Sequence, residues 1–158
     1  MNRFSRRTLL KGAATSIGLG LGAGLVPGAS RWTLAQTPVP ISLTALDDLR
    51  ARLHGTLMLP GDSGYPIASA PANGRFLDVQ PAAIARVADE ADVVTCVNWC
   101  TENGVAPVAR GGGHSYAGYS TTTGLLVDLR RLNTVNVDRQ EGTAVSGGAA
   151  LNGDFLTA

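Results

Sequence analysis

Between Ser42 and Leu53 the apolar positions Leu43, Leu46, Leu49 and Leu53 recur three or four residues apart among aspartates and arginines. That spacing predicts an amphipathic helix, capped by Ser42 or Thr44 and stopped at Gly55. Pro60 to Pro66 is a turn cluster leading into a segment through Asn73 in which no regular element is expected. Phe76 to Val79, ended by Pro81, and Ile84 to Val87 read as short strands. A second helix is expected from Val93 to about Glu102, with Asp92 as its N-cap, Val93, Val97 and Cys100 on its buried stripe, and Asn103-Gly104 as its stop. Further strands follow at Val105 to Ala109, Leu125 to Leu129, Thr134 to Asp138 and Thr143 to Val145, with turns at 130–133 and 139–142. Leu151 to Ala158 reads as the opening turn of a helix that commits Phe155 and Leu156 to a core still to come, so a truncated chain is expected.

The 158 residues are 44% hydrophobic and 16% charged, which excludes a disordered chain and leaves a soluble globular class with one ordinary core. Twenty glycines and eight prolines mark a loop-rich chain. The net charge of +1 conceals an asymmetry. Arg3, Arg6, Arg7, Lys11 and Arg31 precede Gln36, after which eight arginines face all twelve acids, a net of minus four. No polycation block remains to hold a nucleic acid, so none is expected as a partner. Lys11 is the sole lysine, which removes lysine Schiff-base and P-loop chemistry from the rest of the chain.

Arg6-Arg7 followed by an apolar run from Ala13 to Val26 resembles a twin-arginine export signal. The run is too short to span a bilayer, so no stable membrane anchor is expected. Thr33-Leu34-Ala35 fits a cleavage site, which gives a signal over 1–35, a linker with helical and irregular parts over 36–75, and a domain over 76–158. The expected partners and address follow: the twin-arginine machinery, and a periplasmic or secreted location.

The most informative segment is Val105-Ala-Pro-Val-Ala-Arg110-Gly-Gly-Gly-His114-Ser-Tyr-Ala-Gly118, a strand running into a glycine loop with a histidine directly after it. Three side-chain-free residues allow consecutive amides to converge on an anion, and a pyrophosphate would fit such a nest. Arg110 could add charge and Ser115 a hydroxyl donor. The alternative is a tight glycine turn carrying a surface histidine. Neither G-x-G-x-x-G nor G-x-x-x-x-G-K-[ST] occurs, so the Rossmann and P-loop readings fail.

Arg110-Gly-Gly-Gly-His-Ser-Tyr-Ala-Gly118 closely resembles the pyrophosphate loop of the vanillyl-alcohol-oxidase type of FAD-binding domain (PCMH type), in particular the berberine bridge enzyme-like oxidases. The resemblance extends to Leu59 to Tyr65, Asn73 to Phe76, Pro81 to Ile84 and Asp92-Val93 before the loop, and to Gly124 to Leu129, Val135 to Asp138 and Ala144 to Ala149 after it. It implies an α+β fold, of which this chain holds the N-terminal portion of the flavin domain. It implies FAD wrapped by Arg110, Gly111, Gly112, Gly113, His114 and Ser115, with Gly118 turning the loop away and Gly147 and Gly148 bringing amides from a second side. It further implies that His114 matches the histidine joined to the flavin 8α carbon in many members. The activity implied is hydride transfer from a small organic substrate to FAD and then to dioxygen, with the catalytic base outside this chain. The alternative is a truncated remnant that binds FAD or another phosphate ligand weakly or not at all.

Other constellations are weaker. Gly61-Asp-Ser63-Gly64 has no histidine base placed as a protease triad requires and reads as a turn. Cys96 and Cys100 share a helix face where a disulfide is awkward, and with no second Cys or His pair at metal spacing no metal is expected. Asp128 is expected to cap the turn that follows it, and Tyr116 and Tyr119 to pack in the core or on the surface, the alternative being that they flank the flavin ring system.

Overall fold

The computed structural model describes residues 40–158; the segment that resembles an export signal, the expected cleavage site and the linker residues preceding Pro40 lie outside the described residues. Helix α1 (Leu43–Arg52) begins where the hydroxyl of Ser42 accepts from the amide of Ala45, and it buries Leu46 and Leu49. Strand β1 (Thr56–Met58) follows, then a short helix α2 (Tyr65–Ser69), a single 3-10 turn (Gly74–Phe76) and strand β2 (Ala83–Arg86). Helix α3 (Glu90–Asn103) leads to β3 (Pro107–Arg110), β4 (Leu125–Asp128), the hairpin β5 (Val135–Asp138) and β6 (Thr143–Ser146), and helix α4 (Asn152–Thr157).

The first four strands form one sheet in the order β1-β2-β4-β3, and the hairpin is a separate two-stranded ribbon. Strand β1 is antiparallel to β2, while β2, β4 and β3 run parallel. Because side chains alternate along a strand, the two faces of the sheet carry different partners. Ala83, Ala85, Leu125 and Val127 pack with Leu46, Leu49, Cys96, Trp99 and Cys100 from α1 and α3. Ile84 and Leu126 face the other way, onto Tyr65 and Ala68 of α2. Trp99 is fully buried, and its indole nitrogen donates to the carbonyl of Ala45, which satisfies the one polar atom that burial would otherwise strand. The fold is thus a mixed helix-and-sheet architecture, as the sequence reading expected.

Several expectations change. The strand expected at Phe76 to Val79 is absent: Gly74–Phe76 is a 3-10 turn in which Asn73 accepts from the amide of Arg75. The segment expected to be irregular contains α2, with Pro66 at a first-turn position where its missing N–H costs nothing. Helix α3 starts three residues earlier than expected and is capped by Asp89. Asp92 lies inside its first turn, where the buried carboxylate accepts from the amides of His54, Gly55 and Ala88. Cys100 is buried and Val93 packs half-buried against the core, as expected, whereas Val97 is exposed and Asp92, Cys96 and Trp99 complete the buried stripe. Gly104 ends the helix in the left-handed conformation, as expected.

Candidate functional site

Parallel strands end together, and the loops leaving β2, β4 and β3 gather at one edge of the sheet. The 14 residues between Arg110 and Leu125 form one such loop, and its first part is the glycine segment. Among the described residues, no hydrogen-bond partner is found for the main-chain amides of Gly111, Gly112, Gly113, His114 and Ser115. The loop is held from outside instead. The carbonyl of Gly113 accepts from the amide of Ala72 (3.2 Å) and from the hydroxyl of Ser120 (3.2 Å). The hydroxyl of Ser115 accepts from the amide of Tyr119 (3.0 Å), and its own proton remains available.

The second glycine turn follows β6 and reaches the first directly. A β-carbon at Gly111 would lie 2.6 Å from the carbonyl oxygen of Gly148, so only glycine permits this approach. Gly118 adopts φ +80° under the ring of Phe76, 2.6 Å from where a β-carbon would stand, and turns the loop as expected. The expectation for the second turn is corrected in part. The amide of Gly147 donates to the carbonyl of Thr134 (2.9 Å) and extends the β5–β6 ladder, so it has no hydrogen to offer a ligand, whereas Gly148 makes no such bond. The amide of Ala149 is likewise taken by Leu132.

Arg110 also departs from its expected use. Its guanidinium is buried and donates to the carbonyls of Ala68, Ser69, Ala70 and Ser120, closing the C-terminal end of α2 against the loop. Burial lowers its pKa, Asp128 raises it and Arg130 lowers it. With its donors committed inward, Arg110 fastens the loop and does not lend charge to its open side.

His114 is exposed and stands between two clefts. One, of about 290 Å³, is lined by Gly111, Gly112, His114, Arg130, Asn133 and Ala149. The other, of about 400 Å³, is lined by Ala72, Asn73, Gly74, His114 and Tyr116. Tyr116 and Tyr119 are both exposed, so neither joins the core.

Asp128 is fully buried and caps the following turn, as expected, by accepting from the amide of Arg130 (3.1 Å). Its carboxylate also takes the Arg130 guanidinium through Nη2 (2.6 Å) and Nε (2.9 Å) and meets Arg86 Nε at 3.4 Å. Burial alone would raise the pKa of Asp128, but the bonds from Arg130 outweigh it and hold the carboxyl below the usual carboxylate range. Arg130 was not singled out in the sequence, although a charged residue two positions beyond an aspartate at a strand end was the available signal.

Five free amides in a loop of low steric bulk, a second glycine turn in contact with it and an accessible imidazole at the mouth form a donor set suited to a diphosphate-bearing cofactor. The residues present therefore fit FAD.

The family described as FAD binding domain matches residues 81–158. The chain is 33% identical over 105 residues to (R)-6-hydroxynicotine oxidase of Paenarthrobacter nicotinovorans, a match covering 66% of this chain and 23% of that protein. It is 37% identical over 114 residues to an FAD-linked oxidoreductase of Aspergillus fumigatus, covering 70% and 24%. The crystal structure of 6-hydroxy-D-nicotine oxidase from Arthrobacter nicotinovorans superposes with a TM-score of 0.62 at 33% identity, over 66% of this chain and 23% of that one. A berberine bridge enzyme-like protein of Physcomitrella patens superposes with a TM-score of 0.60 at 32% identity, over the same shares. The chain spans about a quarter of the length of the relatives it matches.

Proposed function

Residues 81–158 belong to the FAD binding domain family, and from that premise we propose that the complete polypeptide is an exported FAD-linked oxidase in which this chain holds the cofactor. The observation that carries the reading is the placement of His114 on the same cleft as Gly111 and Gly112, where loop amides stand free. In this reading the amides of residues 111–115 and of Gly148 would hold the FAD pyrophosphate, and an imidazole nitrogen of His114 would bond to the flavin 8α carbon. The 8-methyl group and the imidazole would each give up a proton and the flavin would take the electron pair, which dioxygen then removes.

When bound, FAD supplies a hydride acceptor for a small organic substrate and returns the electrons to dioxygen. The chain's own contribution is attachment and positioning. Gly113 is tied to Ala72 and Ser120, and Arg110 ties the start of the loop to α2, so the amides are fixed before a ligand arrives. Such preorganisation spares the ordering cost on binding. His114 carries no competing hydrogen bond among the described residues, which leaves a ring nitrogen free to react. Arg6-Arg7 and the apolar run after them support export through the twin-arginine route to the periplasm or beyond, a route that carries folded, cofactor-loaded proteins.

Acid precipitation of the complete polypeptide tests the attachment. The expected pellet is yellow, its flavin travels with the peptide containing His114, and His114→Ala releases flavin to the supernatant. Protein that stays colourless when saturated with FAD would overturn the reading.

A further inference from the structure

We propose that Arg130, and not Arg110, is the side chain that meets the FAD pyrophosphate, with the buried carboxylate of Asp128 as the positioning residue that aims it; this assignment rests on the flavin reading above. The parallel register sets Arg86, Asp128 and Arg110 in one row across the ends of β2, β4 and β3. Arg130 joins that row from the following turn. Two arginines therefore pair with one carboxylate, and a third, Arg110, feels its charge from the neighbouring strand. Asp128 is the acid that pairs with Arg86 and Arg130 and the one whose charge acts on Arg110. Among the described residues, two positive charges of this group lack a counter-charge. A dinucleotide pyrophosphate is anionic and would offset this excess at Arg130, the member of the group that lines the cleft.

Geometry selects which arginine makes the contact. Arg110 is buried, and its guanidinium is committed to four carbonyls. The Arg86 side chain is not among those lining the cleft beside His114, whereas Arg130 is. A guanidinium has five N–H donors in a rigid fork. Asp128 takes the edge formed by Nε and Nη2, and the opposite edge, including both hydrogens of Nη1, has no described partner. The Arg130 side chain is 46% exposed, so that edge is reachable. A carboxylate at full burial fixes the plane of the guanidinium, and a fixed fork loses less freedom when it captures a phosphate oxygen.

The test uses the complete polypeptide carrying His114→Ala, in which flavin stays exchangeable, titrated with FAD, ADP and riboflavin. Arg130→Gln is expected to weaken FAD and ADP about tenfold or more while leaving riboflavin, which has no phosphate, unchanged. The salt dependence of FAD affinity should become shallower in the same variant, because one ionic contact is gone. Arg130→Lys, which keeps the charge but loses the fork, should lose FAD affinity partially, and it decides the matter if Arg130→Gln does not fold. FAD affinity that is untouched in both variants, or a parallel fall for FAD and riboflavin, would overturn the assignment and leave the flavin reading standing. Failure of the His114→Ala parent to bind FAD would sink the reading itself, and this assignment with it.

Discussion

Two side chains of one type, Arg110 and Arg130, divide the work near the glycine loop, and their fates show what single residues reveal from sequence. Arg110 adjoins the glycines, and adjacency suggested a ligand contact, but burial under Ser120 and the end of α2 turns its donors inward. Arg130 lies twenty positions away, and only the parallel register of β3 against β4 returns it to the loop. No local pattern encodes such a meeting. The glycines were more legible, because Gly111 and Gly118 are demanded by close approaches that no side chain tolerates. At Gly111 this yields a sharp expectation. Gly111→Ala places a methyl group 2.6 Å from the Gly148 carbonyl oxygen, and the two turns must separate at a cost of about 1–3 kcal/mol. FAD uptake and melting temperature should fall together, whereas Gly153→Ala, in helix α4 where nothing lies within 4 Å, should lower neither. Equal behaviour of the two variants would show that the contact between the turns is unimportant.

At the scale of elements, the sequence disclosed α1, β2, α3 and the later strands through their periodicity and stops, while β1 and α2 escaped it. Strand β1 is three residues long, too short for an alternation to register, and α2 hides in a cluster of turn residues whose proline happens to suit a helix start. The start of α3 was misplaced because two aspartates three residues apart compete for the cap. Asp89 wins, and Asp92 is drawn inward to satisfy the amides that lead into β1. His54 completes this junction by pairing its Nδ1 with Asp89 at 2.7 Å. The hydrogen bond to Asp89, reinforced by the charges of Asp89 and Asp92, raises the pKa of His54 above 6.5, and the same bond lowers that of Asp89 below 3.8. The sign follows from linkage. The histidine's stabilisation is full below its unfolded value and is lost as pH rises through its raised value. The aspartate's is full above its unfolded value and is lost as pH falls through its lowered value. The difference in melting temperature between the native protein and His54→Asn should therefore be greatest near pH 5 and vanish in alkaline buffer. A difference that grows with alkalinity would contradict the pairing.

For the whole molecule, the core lies on the face of the sheet covered by α1 and α3, and both cysteines belong to it. Cys96 and Cys100 are free, buried and one turn apart on α3, and burial pushes both thiols up to about 12. Only thiolates react readily with disulfide reagents. The native protein should leave both thiols silent toward such a reagent at neutral pH, and both should react once denaturant opens the fold. Fast reaction of either in the native state would mean that α3 lifts from the sheet far more often than its packing implies.

The contact between Gly111 and Gly148 bridges two separately built pieces, the parallel sheet and the β5–β6 ribbon. Neither piece owns a finished receptor, because the loop comes from one and the opposing turn from the other. Nucleotide capture would then report the order of assembly: under the flavin reading, a nascent chain would become competent to take on its pigment only after the ribbon has docked, so colour would mark the joining of these two pieces.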